Sequence, residues 1–182
     1  MIVKPTSLED VLLVEPVRHG DARGYFQETY QEDRYRAAGI NCRFVQDNLS
    51  FSERGVLRGL HLQHPKGQDK LVSVMQGEVF DVAVDVRYGS PTFGEWVGER
   101  LSAENGRQLF VPKGFAHGYC VTSDTALFAY KCSEIYAPDC EVSIRWDDPD
   151  IGIDWPVTEP ILSARDAALP LLRGAENNFW FA

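Results

Sequence analysis

The chain has 182 residues, 44% hydrophobic and 25% charged, which suits one domain (residues 1–182) with a real core. A formal charge of −9 argues against nonspecific nucleic-acid binding, so an anionic ligand must meet a local cluster of Lys and Arg. No apolar run approaches the roughly 18–20 residues of a membrane helix, and the opening MIVKPTSLED turns polar before a signal-peptide core forms, so neither a membrane partner nor a leader is expected.

In chain order, short β-like runs bounded by Gly, Pro, Asn and Asp are expected at 11–16, 25–29, 44–48 and 56–60. Further runs fall at 70–76, 79–86, 96–101, 108–111, 118–121, 125–132 and 142–146. Segment 79–86 reads V-F-D-V-A-V-D-V, which predicts a strand with Phe80, Val82, Val84 and Val86 on the drier face and Asp81 and Asp85 on the other. Helix signals are sparse: 33–38 before Gly39, and 163–168 before Pro170, where Ser163 and Asp166 have capping-box spacing. Many short strands with almost no helix imply an all-β antiparallel jelly-roll barrel with a few short flanking helices, and a mouth where a small ligand sits between sheets. Cys42, Cys120, Cys132 and Cys140 are irregularly spaced, without C-x-x-C. They read as reduced thiols and point to the cytoplasm.

Two stretches carry chemical information. In G-V-L-R-G-L-H-L-Q-H (55–64), strict alternation puts Arg58, Leu60 and Leu62 on one face and Leu57, Gly59, His61 and Gln63 on the other. Taken alone, Arg58 reads as a surface charge and His61 as a packed histidine; a neutral imidazole is also the natural general base near pH 7. The second stretch, P-K-G-F-A-H-G-Y (112–119), is a P-x-G-x-x-H turn that resembles the cupin family. Cupins that bind a metal pair that histidine with an H-x-H, which here reads His61-x-Gln63, so no metal and no cofactor are expected. Tyr130 in F-A-Y-K reads either as a core tyrosine or as an acid, and Lys70 either as a solvated strand end or as a partner for an anion. Asp166 reads either as part of a helix start or as the carboxylate that orients His61.

Ordered blocks along nearly the whole chain then resemble one family. They include G-D-A-R-G-Y-F-Q-E (20–28), F-V-Q-D-N (44–48), V-L-R-G-L-H (56–61), K-L-V (70–72) and G-E-V-F-D-V-A-V-D-V-R (77–87). S-P-T-F-G-E-W-V-G (90–98), P-K-G-F-A-H-G (112–118), Y-K (130–131), W-D-D-P-D-I-G-I-D-W-P (146–156) and L-S-A-R-D (162–166) follow. In this respect the chain resembles the dTDP-4-dehydrorhamnose 3,5-epimerases, cupin-like enzymes that work without a metal. The resemblance implies a dTDP-4-keto-6-deoxy-D-glucose substrate, inverted at carbons 3 and 5; inversion at carbon 3 alone is the rival reading. It implies His61 as base, Asp166 as its partner, Lys70 beside the developing enolate and Tyr130 as acid on the opposite face. It implies substrate contacts from Arg23, Phe26, Glu28, Gln46, Asp47, Asn48, Arg58, His117, Glu141 and Arg165, with Phe26 or Tyr136 stacking on the base. It also implies a homodimer with exchanged N-terminal strands, so that some of these contacts come from a partner subunit. Asp69, Ser73 and Ile135 depart from common family usage, around the expected sugar and base pockets.

Overall fold

β-Branched and aromatic residues at alternate positions, cut at short intervals by Gly and Pro, fold here into two facing antiparallel sheets. The computed structural model describes residues 1–175 and 179–181. Its strands are β1 (Ile2–Pro5), β2 (Leu12–Glu15), β3 (Arg18–Asp21), β4 (Gly24–Gln27), β5 (Gln46–Glu53), β6 (Leu57–Gln63) and β7 (Lys70–Gln76). They continue with β8 (Glu78–Asp85), β9 (Trp96–Ser102), β10 (Gln108–Val111), β11 (Phe115–Val121), β12 (Thr125–Cys132) and β13 (Glu141–Ser143). One sheet has the order β1-β2-β10-β7-β12-β5 and the other β13-β6-β11-β8-β9, while β3 and β4 form a separate hairpin. This is the expected all-β, cupin-like jelly roll. Strands β1 and β3 were not foreseen, because Ile2–Pro5 and Arg18–Asp21 lack an alternating apolar face.

Among the described residues the one α-helix, α1 (Glu32–Ala37), starts a residue before the expected span, with the Gln31 side chain accepting from the Arg34 N–H. The expected helix at 163–168 is instead a single 3-10 turn, Asp166–Ala168. Leu169 is already extended, as a residue before proline tends to be. Among the described residues, no helix is long and apolar enough to cross a membrane. All four cysteines are free thiols.

The inter-sheet core joins Leu13, Val72, Val74, Leu109 and Phe128 to Val79, Ala83, Val97, Leu101 and Phe115. A second core lies on the outer side of the five-stranded sheet, where Ile144, Ile151, Trp155 and Leu172 cover Leu60, Leu62, Val82, Val84 and Val86. Strand β8 is therefore buried on both faces, and the expectation of a polar, wetter Asp face is overturned. The apolar face of 80, 82, 84 and 86 looks outward, under the C-terminal cover, and the two aspartates point inward with 0% exposure. Each has partners, as buried carboxylates require. Asp81 faces His117, and Asp85 accepts from Arg87, Ser90 and Thr92.

Strict alternation along β6 also fails, at one residue. Between Arg58 and His61 three steps oppose the two from Tyr119 to His117 on β11, so β6 carries a bulge. Arg58 and His61 thus share the inner side, while Leu57, Leu60 and Leu62 join the outer core. Gly59 makes this possible. Its φ is +134°, and a Cβ there would lie 2.6 Å from Gly118 Cα.

Candidate active site

A cavity of about 420 Å³ opens between the sheets, with Arg58, His61, Lys70, His117, Tyr130 and Asp166 in its wall. A second of about 260 Å³ adjoins it and shares His61, Lys70 and Tyr130. The shared residues stand where the two spaces meet.

His61 comes from β6, and Asp166 from the 3-10 turn of the C-terminal cover. Asp166 Oδ1 accepts from His61 Nε2 at 2.8 Å. An imidazole that donates at Nε2 keeps its lone pair at Nδ1, which is then the basic nitrogen. Burial by itself would raise the Asp166 carboxyl, but the hydrogen bond and charge of His61, with help from the Ser163 hydroxyl, hold it below the usual carboxylate range. The Ser163 Oγ accepts from the Asp166 N–H at 3.0 Å, so the capping contact and the contact to His61 coexist on one residue.

Lys70 opens β7 and is 9% exposed, which overturns the solvated strand end. Its Nζ donates to the His61 carbonyl at 3.4 Å. Burial lowers its pKa, against the opposing pull of Cys132, Asp81 and Glu141. Tyr130 lies on β12, and burial pushes its phenol up to about 12. It remains a proton carrier across the neutral range.

His117 lines the cavity and has a carboxylate of its own, with Nε2 3.0 Å from both oxygens of Asp81. This second imidazole–carboxylate pair was missed. The signal was present in the sequence: an aspartate inside an apolar strand almost never buries without a partner.

The smaller cavity gathers Gln46, Asn48, Tyr136 and Glu141. Glu141 accepts from the Tyr136 hydroxyl at 2.7 Å and pairs with Arg165 at 2.6 Å. Burial would raise the Glu141 carboxyl, and those two partners together with His61 bring it below the usual range. Gln63, at the place of the second cupin histidine, is tied to backbone at both ends. Its Nε2 donates to Lys66 O and Ile135 O, and its Oε1 accepts from Ala137 N–H.

Four expected contacts do not reach either cavity within this chain. Asp47 points to the opposite side of β5 from Gln46 and Asn48, as strand alternation requires, and pairs with Lys131. Arg23 pairs with Asp21 at the hairpin, Glu28 pairs with Arg34, and the Phe26 ring is 71% exposed. The three departures from family usage also lie outside the cavity walls. Ser73 borders the outer face of the six-stranded sheet, and Ile135 is exposed. Asp69 accepts from Lys113 N–H and the Ser133 hydroxyl.

A jelly-roll barrel whose cavity joins a carboxylate-backed imidazole, a buried lysine and a protonated phenol is that of an acid–base isomerase. A family model described as dTDP-4-dehydrorhamnose 3,5-epimerase matches residues 5–174, and the chain belongs to that family. It is 54% identical over 175 residues to the dTDP-4-dehydrorhamnose 3,5-epimerase of Salmonella typhimurium, covering 94% of this chain and 96% of the other. It is 54% identical over 164 residues to that of Methanothermobacter thermautotrophicus, covering 88% and 89%. It is also similar to a crystal structure of a 3,5-epimerase from Legionella pneumophila in complex with dTDP-4-keto-L-rhamnose. That match has a TM-score of 0.92 and 55% identity, and covers 94% of this chain and 93% of the other.

Proposed function

We propose that His61, Asp166, Lys70 and Tyr130 invert carbons 3 and 5 of dTDP-4-keto-6-deoxy-D-glucose, giving dTDP-4-keto-L-rhamnose. The carbon 4 ketone acidifies the hydrogens on both neighbouring carbons. His61 takes one of these, and Asp166 holds the ring and stabilises the imidazolium that results. The electrons move onto the ketone oxygen, where the Lys70 ammonium stabilises the enolate. Tyr130 returns a proton to the opposite face of the carbon, which inverts it. The same cycle serves the second carbon. The 2.8 Å contact between His61 and Asp166 in the wall of a sugar-sized cavity carries this reading. Relatives identical at more than half of the aligned positions are 3,5-epimerases, which favours double inversion over inversion at carbon 3 alone.

The nucleotide occupies the smaller cavity, where Tyr136 offers an aromatic face and Gln46, Asn48 and Glu141 offer polar partners. Arg58 and Arg165 meet the diphosphate, and His117 is a polar contact near the sugar. The whole chain acts as one unit, in the cytoplasm, as half of a homodimer. The exposed Leu49, Phe51 and Met75 near the edge strand β5, together with Tyr25 and Phe26 of the hairpin, support an apolar face that a second copy covers. Arg23, Phe26 and Glu28 then reach the second copy's cavity. Light scattering on a sizing column checks the dimer, which a single-chain mass in solution would overturn.

The reaction itself is tested by proton NMR in deuterated water. Deuterium enters carbons 3 and 5 of the keto sugar with the native chain, and exchange vanishes with folded His61→Ala. Full exchange by that variant would remove His61 from the chemistry.

A further inference from the structure

Strand β5 turns Ser50 and Ser52 toward the facing sheet, and each meets a side chain from across the gap. The Ser50 and Tyr119 hydroxyls lie 2.8 Å apart, and the Arg58 Nε–H donates to Ser52 Oγ at 3.2 Å. Tyr119 and Arg58 are register partners on β11 and β6, so the two bridges stand side by side. Tyr119, Arg58 and Ser50 all line the larger cavity. Tyr119 is 4% exposed and its ring stacks on Phe128 at 4.0 Å, which fixes where its hydroxyl points.

The charges nearby show what this corner is suited to receive. Arg165, the other arginine of this cavity wall, shares its charge with Glu141. Among the described residues, Arg58 has no carboxylate within ion-pair distance, although the chain carries a net charge of −9. A guanidinium without an ion-pair partner, bound to the Ser52 hydroxyl and beside the Ser50–Tyr119 hydroxyl pair, is suited to an anion with several acceptor oxygens. A hydroxyl pair shares one proton internally and has a second to donate outward.

We propose that Tyr119, held by Ser50, completes a phosphate cradle with Arg58 and Ser52, and that its hydroxyl donates to a non-bridging oxygen of the substrate's diphosphate. This rests on the reading of the cavity as a dTDP-sugar site. It adds a recognition role for Tyr119 and Ser50 that the base, acid and enolate contacts do not require.

Calorimetric titration with dTDP and with thymidine separates the possibilities. Tyr119→Phe weakens dTDP binding about tenfold or more, the range expected for a lost hydrogen bond to a charged group, and leaves thymidine binding unchanged. Ser50→Ala weakens dTDP in the same direction, and the double variant loses less than the sum of the two, because the hydroxyls act as a pair. A native dTDP affinity in folded Tyr119→Phe and Ser50→Ala overturns the cradle. So does an equal loss for thymidine, or a fall in kcat with dTDP affinity retained, which would put the hydroxyl on the sugar. If the unaltered chain itself fails to bind dTDP, the reading of the cavity falls first, and the cradle with it.

Discussion

Asp166 reaches His61 across 105 positions of sequence, its Oδ1 2.8 Å from the ring Nε2, and its own backbone N–H is already capped by Ser163. The carboxylate is therefore fixed from two sides before any ligand arrives. Fixing the tautomer in this way costs nothing at the moment of proton transfer.

Asp166→Asn offers the ring an amide in place of a carboxylate and removes the charge that stabilises the imidazolium. Turnover falls about 10²–10⁴-fold while dTDP affinity is kept. The same variant reports on stability. Asp166 has a folded pKa below its unfolded one, so its contribution is fully present above the ordinary carboxylate range and is lost as pH falls through the lowered value. Acid denaturation curves of Asp166→Asn are accordingly flatter below about pH 4, and an unchanged acid limb contradicts the assignment.

Lys70→Met separates stability from chemistry. The buried ammonium is replaced by an apolar side chain of similar length, so the melting temperature stays level or rises. Turnover drops about 10²–10³-fold with the loss of the enolate partner. In the native chain burial lowers the Lys70 pKa, so activity declines on the alkaline side before the ordinary lysine range. Between those two values the unfolded state holds more protons, and stability rises with pH. Both trends disappear in the variant, as pH–rate profiles and denaturant titrations would record.

Tyr130→Phe uncouples exchange from inversion. His61 still removes hydrogen, so deuterium still enters beside the ketone, but it returns to the face it left. Product inversion falls about 10²-fold or more relative to exchange. With its phenol near 12, Tyr130 causes no loss of activity below about pH 11. Equal losses of exchange and inversion would remove it as the acid.

Gly59→Ala tests the bulge. The positive φ and the 2.6 Å approach to Gly118 Cα both oppose a side chain, so stability falls about 3 kcal/mol. Urea unfolding measures it, and a loss below about 0.5 kcal/mol would mean that the backbone can repack there.

Much of this was legible in the chain. The bounds of 70–76, 108–111 and 125–132 match β7, β10 and β12 because turn residues punctuate both ends. His61, Lys70, Tyr130 and Asp166 were identified through the resemblance and do converge on one cavity. What escaped depends on distant parts of the chain. The inward turn of Asp81 follows from a C-terminal cover that claims the other face of β8, and no pattern within 79–86 encodes that cover. The shared side of Arg58 and His61 follows from one extra residue in a strand, which alternation cannot register. Arg23, Phe26 and Glu28 lie outside the cavities of a single chain, and the exchange of N-terminal strands that the resemblance implies is what would bring such contacts from a partner.

The C-terminal cover has a consequence for synthesis. A growing polypeptide exposes position 61 long before position 166 has been made, and the barrel can close around the imidazole while its orienting partner is still unmade. Products that stop at β13 would therefore lack both the carboxylate behind His61 and the cover over Val82, Val84 and Val86, and would turn over no sugar nucleotide. Activity is switched on only once the segment that carries Asp166 has been made and has docked.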